Sequence, residues 1–286
     1  MHRDLDGVDI TSTANPRVKA LARLRRRRHR DEAGVTLVEG FEELTLALRA
    51  GVVPVTVYCC PELLYGDEWD AVRALPAFIA AEFVRVSRLV FDKISYRESP
   101  DGWLAVLPSV GTDLDELVLG PDPLVLVCAG VEKPGNLGAM LRTADAAGVA
   151  AVIAADPGTD WSNPNVVRAS KGAVYTVPVA AAGEQRVLDW LAERRIPVLA
   201  TTPDADSDYT DLDLRGPLAI AVGAEDVGLS QAWLRGAHHR ALIPMGGRVD
   251  SLNVSAAAAV MLYEAVRQRR RHPGAQVPGH GAAGLE

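Results

Sequence analysis

The first part of the chain alternates between short apolar runs and amphipathic stretches. After Asn15-Pro16, the apolar residues Val18, Leu21 and Leu24 recur at helical spacing, which predicts a helix with arginines on its polar face. Runs rich in β-branched and aromatic residues predict strands, namely Thr36–Val38, Val52–Cys60, Phe83–Val86 and Trp103–Leu107. The stretches between them predict helices, namely Phe41–Ala50, Trp69–Leu75 and Phe91–Arg97. This pattern predicts a small α/β domain over residues 15–108.

The second half has the same alternation with more strongly apolar strands. Leu124–Ala129 is a continuous apolar run, which is typical of a strand buried on both faces of a parallel sheet. Further strands are predicted at Ala151–Ala155, Pro197–Thr201, Leu218–Val222 and Ala241–Pro244. Helices are predicted at Leu137–Ala147, Val187–Arg194 and Asn253–Arg270. The fold class is therefore α/β, with a mainly parallel sheet over residues 123–271.

The remaining segments have the composition of connections and tails. Residues 109–122 contain Gly, Pro and several Asp, which indicates a linker between the two domains. Residues 1–14 are predicted to form a flexible tail. Residues 272–286 are rich in Gly, Pro and Ala and are predicted to be disordered.

Charge is unevenly distributed along the chain. The net charge of −7 argues against a protein that coats nucleic acid without selectivity. However, nine Lys and Arg residues lie from Arg3 to Arg30, including an uninterrupted run at positions 25–28. A cationic patch on an acidic protein fits selective contact with a polyanion, because each neutralised phosphate releases counterions. Taken alone, such a run is better explained by a solvated helix face.

Several functional classes are excluded or disfavoured by what the sequence lacks. No apolar run approaches the roughly 18 residues that a membrane span needs, and no apolar segment follows the N-terminal charges as in a secretory signal. The three cysteines have neither CxxC nor Cys/His spacing, which favours buried, reduced thiols in the cytoplasm. We therefore expect no metal site and no membrane partner.

Candidate chemistry lies in three segments that each follow a predicted strand. Ligands of open α/β sheets bind beyond the carboxyl ends of the strands, so this location is informative. The segments are residues 131–142, 222–230 and 243–255. Taken one at a time, each is explained by a turn or by a helix cap, with Asn136 as a candidate cap of one helix and Ser251, Asn253 or Ser255 of another.

Taken together, the three segments form an ordered set of motifs. They read Asn136 to Arg142, Gly223-x-Glu225-x-x-Gly228 and Ser251-Leu252-Asn253-Val254-Ser255. This set resembles the SpoU/TrmH branch of the SPOUT RNA methyltransferases over about residues 124–270.

The resemblance extends less specifically to the first domain. Asn15 to Lys19, Val38-Glu39-Gly40 and Asp101-Gly102-Trp103 look like the ribosomal-protein-like (L30e-like) substrate-binding domain of that branch. Among its subtypes, the chain is similar to the actinomycete 23S rRNA methyltransferases of the avilamycin-resistance type, which confer self-resistance to an antibiotic.

The resemblance implies a fold, a cofactor and partners that no periodicity reveals. It implies a deep trefoil knot and a homodimer in which the partner chain completes each active site. S-adenosylmethionine would lie in the knot and RNA, first of all 23S rRNA, would receive the methyl group on a ribose 2′-oxygen. The cofactor-binding positions that it implies are Thr201, Gly223, Ile243, Met245 and Leu252.

The resemblance also implies roles for polar residues. Arg142 would bind a phosphate beside the reacting hydroxyl and stabilise developing negative charge, since a guanidinium stays protonated and is a poor base. Asn136 would bind the ribose, and Glu225 would hold Arg142 or Asn136. Ser251 and Asn253 would order the loop around the cofactor and nucleotide. The candidate RNA-binding residues are Lys19, Arg25, Arg26, Arg28 and Lys133.

Three alternatives compete with this interpretation. The RNA could be tRNA rather than rRNA. The chain could be a non-catalytic RNA-binding protein, although Asn136, Arg142, Glu225, Ser251 and Asn253 are all present. A Rossmann-type oxidoreductase requires a GxGxxG turn after a first strand, and neither domain has one.

Overall fold

The computed structural model describes residues 7–270, which group into two compact units. Unit 1 ends at Gly111 and also takes in Asp160–Thr176, and unit 2 comprises Thr112–Thr159 and residues 177–270 of the described chain. Residues 160–176 thus lie within the sequence range assigned to the second domain but group with the first. The predicted C-terminal tail lies outside the described residues, and the domain boundaries drawn from sequence stay predictions.

The strands and helices alternate along most of the described chain. The strands are β1 (Val35–Glu39), β2 (Thr56–Cys59), β3 (Glu82–Arg85), β4 (Trp103–Pro108), β5 (Leu124–Ala129), β6 (Ala151–Ala155), β7 (Val179–Ala182), β8 (Val198–Thr201), β9 (Leu218–Val222) and β10 (His239–Ala241). The helices are α1 (Pro16–Arg23), α2 (Arg27–Ala33), α3 (Phe41–Arg49), α4 (Glu68–Arg73), α5 (Pro76–Ile79), α6 (Arg88–Ile94), α7 (Pro134–Ala147), α8 (Pro164–Ala169), α9 (Glu184–Glu193), α10 (Gln231–Gly236) and α11 (Val254–Arg270).

Unit 1 contains a four-stranded mixed sheet in the order β1-β4-β2-β3. β4 is antiparallel to both of its neighbours, and β2 and β3 are parallel. Its core forms where α1 and α6 pack together and bury apolar side chains such as Val18, Leu21 and Phe91. The small α/β domain predicted from the sequence is confirmed as a mixed α/β unit.

The N-terminal arginines do not lie on one helix, which corrects the expectation from spacing. α1 ends at Arg23, the backbone of Arg26 is extended, and α2 then ends at Gly34 in the left-handed conformation. Arg30 stabilises this break, because it is only 2 % exposed and donates to the carbonyls of Leu24 and Arg25 between the two helices. Its guanidinium also pairs with Asp160 at 3.2 Å.

Part of the predicted N-terminal tail is packed against β3. Ile10 is buried and forms a bridge with Val86, and the backbone amides of Asp9 and Ile10 both donate to the carbonyl of Arg85. The Asp9 carboxylate pairs with the Arg85 guanidinium at 2.9 Å. Residues 1–6 lie outside the described part of the chain.

Two motifs quoted for the first domain meet at the start of α3. The Phe41 amide donates to Asp101 at 2.8 Å, and the Gly40 amide donates to the Trp103 carbonyl at 3.0 Å. Gly40 has a φ of 121°, and a Cβ there would overlap Glu43 and Arg97. Only glycine fits this position, so Gly40 of this motif has a steric explanation that does not depend on function.

Unit 2 is built on a six-stranded sheet in the order β10-β8-β9-β5-β6-β7, in which every neighbouring pair is parallel. This confirms the predicted α/β class with a parallel sheet. β5, β6 and β9 are buried along their whole length, as their continuous apolar sequences predict. The trefoil knot stays a prediction.

The sequence missed or misplaced several short elements. The pattern does not predict α5, α8, β7 or α10, does not separate α2 from α1, and places the last strand at 241–244 instead of His239–Ala241. β7 reads Val-Ala-Ala-Ala, and alanine has little strand preference. β10 is an edge strand whose His239 and Arg240 are exposed, so it lacks an apolar run.

Two further properties concern residues 7–270 only. No helix there combines the length and apolar character needed to cross a membrane. The three cysteines are buried and form no disulfide, as predicted. Burial raises the pKa of the Cys128 thiol well above its ordinary value, so this cysteine is unreactive at neutral pH.

Candidate active site

The candidate residues of unit 2 collect at one edge of its sheet. β10, β8, β9 and β5 are consecutive and parallel in the sheet, so their carboxyl ends face the same side. Thr201 ends β8, Gly223 follows β9, Ile243 and Met245 follow β10, and the loop with Lys133 follows β5. The sheet order therefore brings together segments that are more than 100 residues apart in sequence, at the position where such sheets bind ligands.

The loop after β5 leads directly into α7. Lys133 occupies the N-cap position with an extended backbone, and Pro134 is the first helical residue, where its missing N–H has no cost. Asn136 lies inside the first turn and does not cap the helix, contrary to our expectation. Its side chain is therefore available for other hydrogen bonds.

The turn after β9 folds tightly on itself. The Gly228 amide donates to the Ala224 carbonyl at 2.9 Å, and these two residues form an isolated antiparallel bridge. A Cβ at Gly223 would overlap the backbone of Gly228 and Leu229. Glycine is therefore required at position 223 for the turn to close, and the closed turn carries Glu225.

Glu225 joins the three segments into one hydrogen-bonded cluster. Its Oε1 accepts from the side-chain amides of Asn136 and Asn253, each at 2.7 Å. Its Oε2 forms an ion pair with the Lys133 ammonium. Asn253 also donates to the side-chain oxygen of Asn136 at 3.3 Å. We call these four residues, Lys133, Asn136, Glu225 and Asn253, the amide–carboxylate cluster.

The start of α11 fixes Asn253. The side-chain oxygen of Asn253 accepts from the Ser255 amide at 3.0 Å and from the Ser255 hydroxyl at 2.6 Å. One of the three predicted cap residues thus caps the helix, and its amide nitrogen remains free to reach Glu225. The sequence did not assign Ser255 to the site, although its place two residues after Asn253 is typical of such a cap.

Electrostatics keep the cluster charged. Lys133, and then the amide of Asn136, hold the pKa of the Glu225 carboxyl below its ordinary value. The same ion pair raises the pKa of the Lys133 ammonium. Glu225 is therefore an acceptor over the neutral range, which is the form in which it can bind both amides.

The residues proposed to hold the cofactor fit an adenosyl ligand. The hydroxyl oxygen of Thr201 is buried and has no hydrogen-bond partner within residues 7–270, so it is available to a ligand. Ile243 and Met245 are half-buried and Leu252 is exposed to 39 %. An unpaired hydroxyl at the end of β8, together with partly exposed apolar side chains after the neighbouring β10, suits a flat base with polar edges.

Arg142 and Ser251 do not join the cluster. Both are exposed, and neither side chain has a hydrogen bond or an ion pair with the described part of the chain. Arg142 lies six residues after Asn136, which turns it by about 120° around the axis of α7. Of the two partners expected for Glu225, it therefore binds Asn136 and not Arg142.

The N-terminal cations of unit 1 fall into two groups. The Arg25 guanidinium donates to the carbonyls of Lys93, Ile94 and Ser95, where α6 ends, and Arg28 pairs with Glu32 at 2.7 Å. The side chains of Lys19 and Arg26 are exposed and have no partner among residues 7–270. The first group already has internal partners, whereas the second has no contact within these residues that binding an anion could disturb.

Comparison with known proteins connects this geometry to a family. Residues 123–263 match the SpoU rRNA Methylase family, and residues 15–105 match the MRM3-like substrate binding domain. A 23S rRNA (uridine(2479)-2′-O)-methyltransferase from Streptomyces viridochromogenes is 34% identical over 260 residues, which cover 87% of this chain and 88% of that protein. The chain belongs to the SpoU rRNA methylase family.

Solved structures of SpoU methylases have the same fold over nearly the whole chain. An RNA 2′-O ribose methyltransferase superposes with a TM-score of 0.81 at 46% identity and covers 91% of this chain and 99% of its own. The SpoU methyltransferase AviRb from Streptomyces viridochromogenes, solved with AdoMet, gives a TM-score of 0.82 at 30% identity, with 91% and 100% coverage. The resemblance stated from sequence motifs is confirmed.

Different roles are expected for the two groups of cations in this SpoU methylase. We expect Lys19→Ala combined with Arg26→Ala to weaken RNA binding and to reduce the slope of log affinity against log salt by about 0.7–0.9 per lost contact. The Arg25 guanidinium donates hydrogen bonds to three backbone carbonyls at the end of α6. We therefore expect Arg25→Ala to lower the free energy of unfolding by about 1–2 kcal/mol. Thermal unfolding and RNA titrations at several salt concentrations measure both effects. An unchanged salt slope in the double variant would remove Lys19 and Arg26 from the RNA surface.

Proposed function

We propose that this protein is an S-adenosylmethionine-dependent 2′-O-ribose methyltransferase that acts on 23S rRNA. The observation that carries the proposal is the pair of hydrogen bonds that Asn136 and Asn253 donate to Glu225. These bonds unite all three motif segments at the carboxyl edge of the sheet. Family membership and the likeness to a 23S rRNA 2′-O-methyltransferase support the substrate and the reaction.

The reaction requires alignment more than activation of the methyl donor. Bound S-adenosylmethionine supplies a methyl group that is already electrophilic because it is attached to a sulfonium. Thr201 and the turn at Gly223 would hold this cofactor at the ends of β8 and β9. Positioning of two reactants in this way contributes several kcal/mol to catalysis.

The protein side chains would orient and stabilise the RNA. Asn136 would bind the target ribose, and its own orientation is fixed by Glu225 and Asn253. Arg142 would bind a phosphate next to the reacting hydroxyl, where its charge would stabilise the negative charge that develops on that oxygen. An arginine in this role does not act as the base, because it stays protonated.

We further propose that the active unit is a cytoplasmic homodimer. The exposed and unpartnered side chains of Arg142 and Ser251 support this, because a second chain could contribute them to a complete site. Sedimentation of the purified protein would test it. The role in antibiotic self-resistance stays a prediction.

Methyl transfer to separated RNA pools tests the proposed function. The protein is incubated with methyl-labelled S-adenosylmethionine and, in separate reactions, 23S rRNA, 16S rRNA and tRNA, with Asn136→Ala as the control variant. We expect label only in 23S rRNA, in a dinucleotide that resists alkali because its 2′-oxygen is blocked, and a strong loss with the variant.

Other outcomes have defined meanings. Label in tRNA alone would keep the reaction and overturn the proposed substrate. Cofactor binding without label in any free RNA would overturn free 23S rRNA as the substrate. Assembled large subunits would then be the next substrate to test. Absence of both cofactor binding and label would overturn the enzymatic function and favour a non-catalytic RNA-binding protein.

A further inference from the structure

We propose that Lys133 is a positioning residue, which holds the Glu225 carboxylate in the orientation that binds both active-site amides. This assigns Lys133 a role inside the enzyme in place of the RNA contact that the sequence suggested. The inference rests on the proposed function for its kinetic consequences, but its structural claim can be tested without any substrate.

The two oxygens of Glu225 have separate partners. Oε1 accepts from Asn136 and Asn253, and Oε2 pairs only with the Lys133 ammonium within residues 7–270. A carboxylate bound through one oxygen can rotate about its terminal torsion, which is broad and roughly two-fold. The ion pair on the second oxygen removes this freedom, so both amides meet the same oxygen.

The backbone fixes Lys133 in turn. It is the last extended residue before α7, and the ring of Pro134 restrains the residue that precedes it to extended conformations. Asn136 follows three residues later in the first turn of the same helix. Lys133 and Asn136 therefore hold Glu225 from the same rigid turn, one at each carboxylate oxygen.

Lys133 also balances a local excess of negative charge. The charged groups that face its ammonium are Glu225 and Asp226 of the turn after β9 and Glu132 of its own loop. The start of α11 adds only uncharged groups, namely Asn253 of the cluster and Ser255, which donates to Asn253. Without Lys133, three carboxylates would remain near one another, and their repulsion would favour an open turn.

The competing interpretation is that Lys133 binds an RNA phosphate. Its side chain is 69 % exposed, so a phosphate can reach it. A lysine ammonium has three N–H donors, so a phosphate would bind beside Glu225 and act on the affinity for RNA. The two roles therefore predict different effects, on kcat for positioning and on KM and salt dependence for phosphate binding.

The variants Lys133→Gln and Lys133→Arg separate the two roles. The matched control is Lys171→Gln, which breaks another exposed Lys–Glu pair, with Glu42, in unit 1. Two measurements are made on each full-length protein. The first is an NMR titration of the Glu225 side-chain carboxyl in the free protein, and the second is kcat and KM for RNA as a function of pH and salt.

We expect Lys133→Gln to raise the pKa of Glu225 and to lower kcat by about tenfold or more, with little change in KM for RNA. Because Glu225 must be ionised to bind the amides, the acid limb of the kcat profile should move to higher pH in this variant. Lys133→Arg retains a cation, so the pKa of Glu225 and kcat should both stay close to their wild-type values. Lys171→Gln should change neither.

Two results would overturn the proposal. One is an unchanged pKa of Glu225 in Lys133→Gln, whatever happens to activity. The other is a higher KM and a shallower salt dependence with unchanged kcat, which would assign Lys133 to the RNA. If the wild-type protein transfers no methyl group, the proposed function fails, and the NMR titration still decides whether Lys133 controls Glu225.

Discussion

Replacement of Gly223 by alanine is expected to abolish cofactor binding and to lower kcat/KM by at least about 100-fold. The added Cβ would overlap the backbone of Gly228 and Leu229, which cannot move aside as a flexible side chain would. The turn must open, and Glu225 moves with it, away from Asn136 and Asn253. Overpacking of this kind costs about 1–3 kcal/mol of stability.

Calorimetric titration with S-adenosylmethionine and thermal unfolding measure these effects. Gly120→Ala is the matched control, because a Cβ there meets nothing within 4 Å and the residue lies away from the site in the loop before β5. We expect the control to bind the cofactor as the wild type does. If Gly223→Ala bound it with unchanged affinity, the closed turn would not form part of the cofactor site.

The main features of unit 2 could be predicted because buried parallel strands have an unambiguous sequence pattern. β5, β6 and β9 are continuous apolar runs, and each agrees with its predicted bounds to within one residue. Short or polar elements lack this signal. α2 has no apolar periodicity, and β10 depends on its pairing with β8 rather than on its own residues.

Three members of the amide–carboxylate cluster could be predicted from the sequence, but their connections could not. Motif order identified Asn136, Glu225 and Asn253, yet only the sheet order makes β5 and β9 neighbours and brings residues 89 positions apart into contact. The ion pair from Lys133 to Glu225 and the carbonyl contacts of Arg25 depend on the same long-range packing. A lysine or arginine looks the same in a sequence whether it binds an external anion or pairs with a group inside the fold. The roles of Lys133 and Arg25 could therefore be distinguished only in the structure.

Replacement of Arg142 by alanine is expected to lower kcat by about 100- to 1000-fold, the usual effect of removing one group that stabilises developing charge. Arg142 is exposed and has no partner within residues 7–270, so its loss should leave the fold and the cluster around Glu225 intact. Cofactor affinity and thermal stability should therefore match the wild type. Single-turnover methyl transfer measures the chemical step directly.

The variant Arg142→Lys distinguishes charge from geometry. A lysine keeps the positive charge but cannot bind a phosphate through two parallel N–H groups, so partial activity between those of the alanine variant and the wild type is expected. Full activity in Arg142→Lys would mean that a point charge is sufficient. Full activity in Arg142→Ala would exclude Arg142 from the reaction and leave Asn136, held by Glu225 and Asn253, as the main group that orients the ribose.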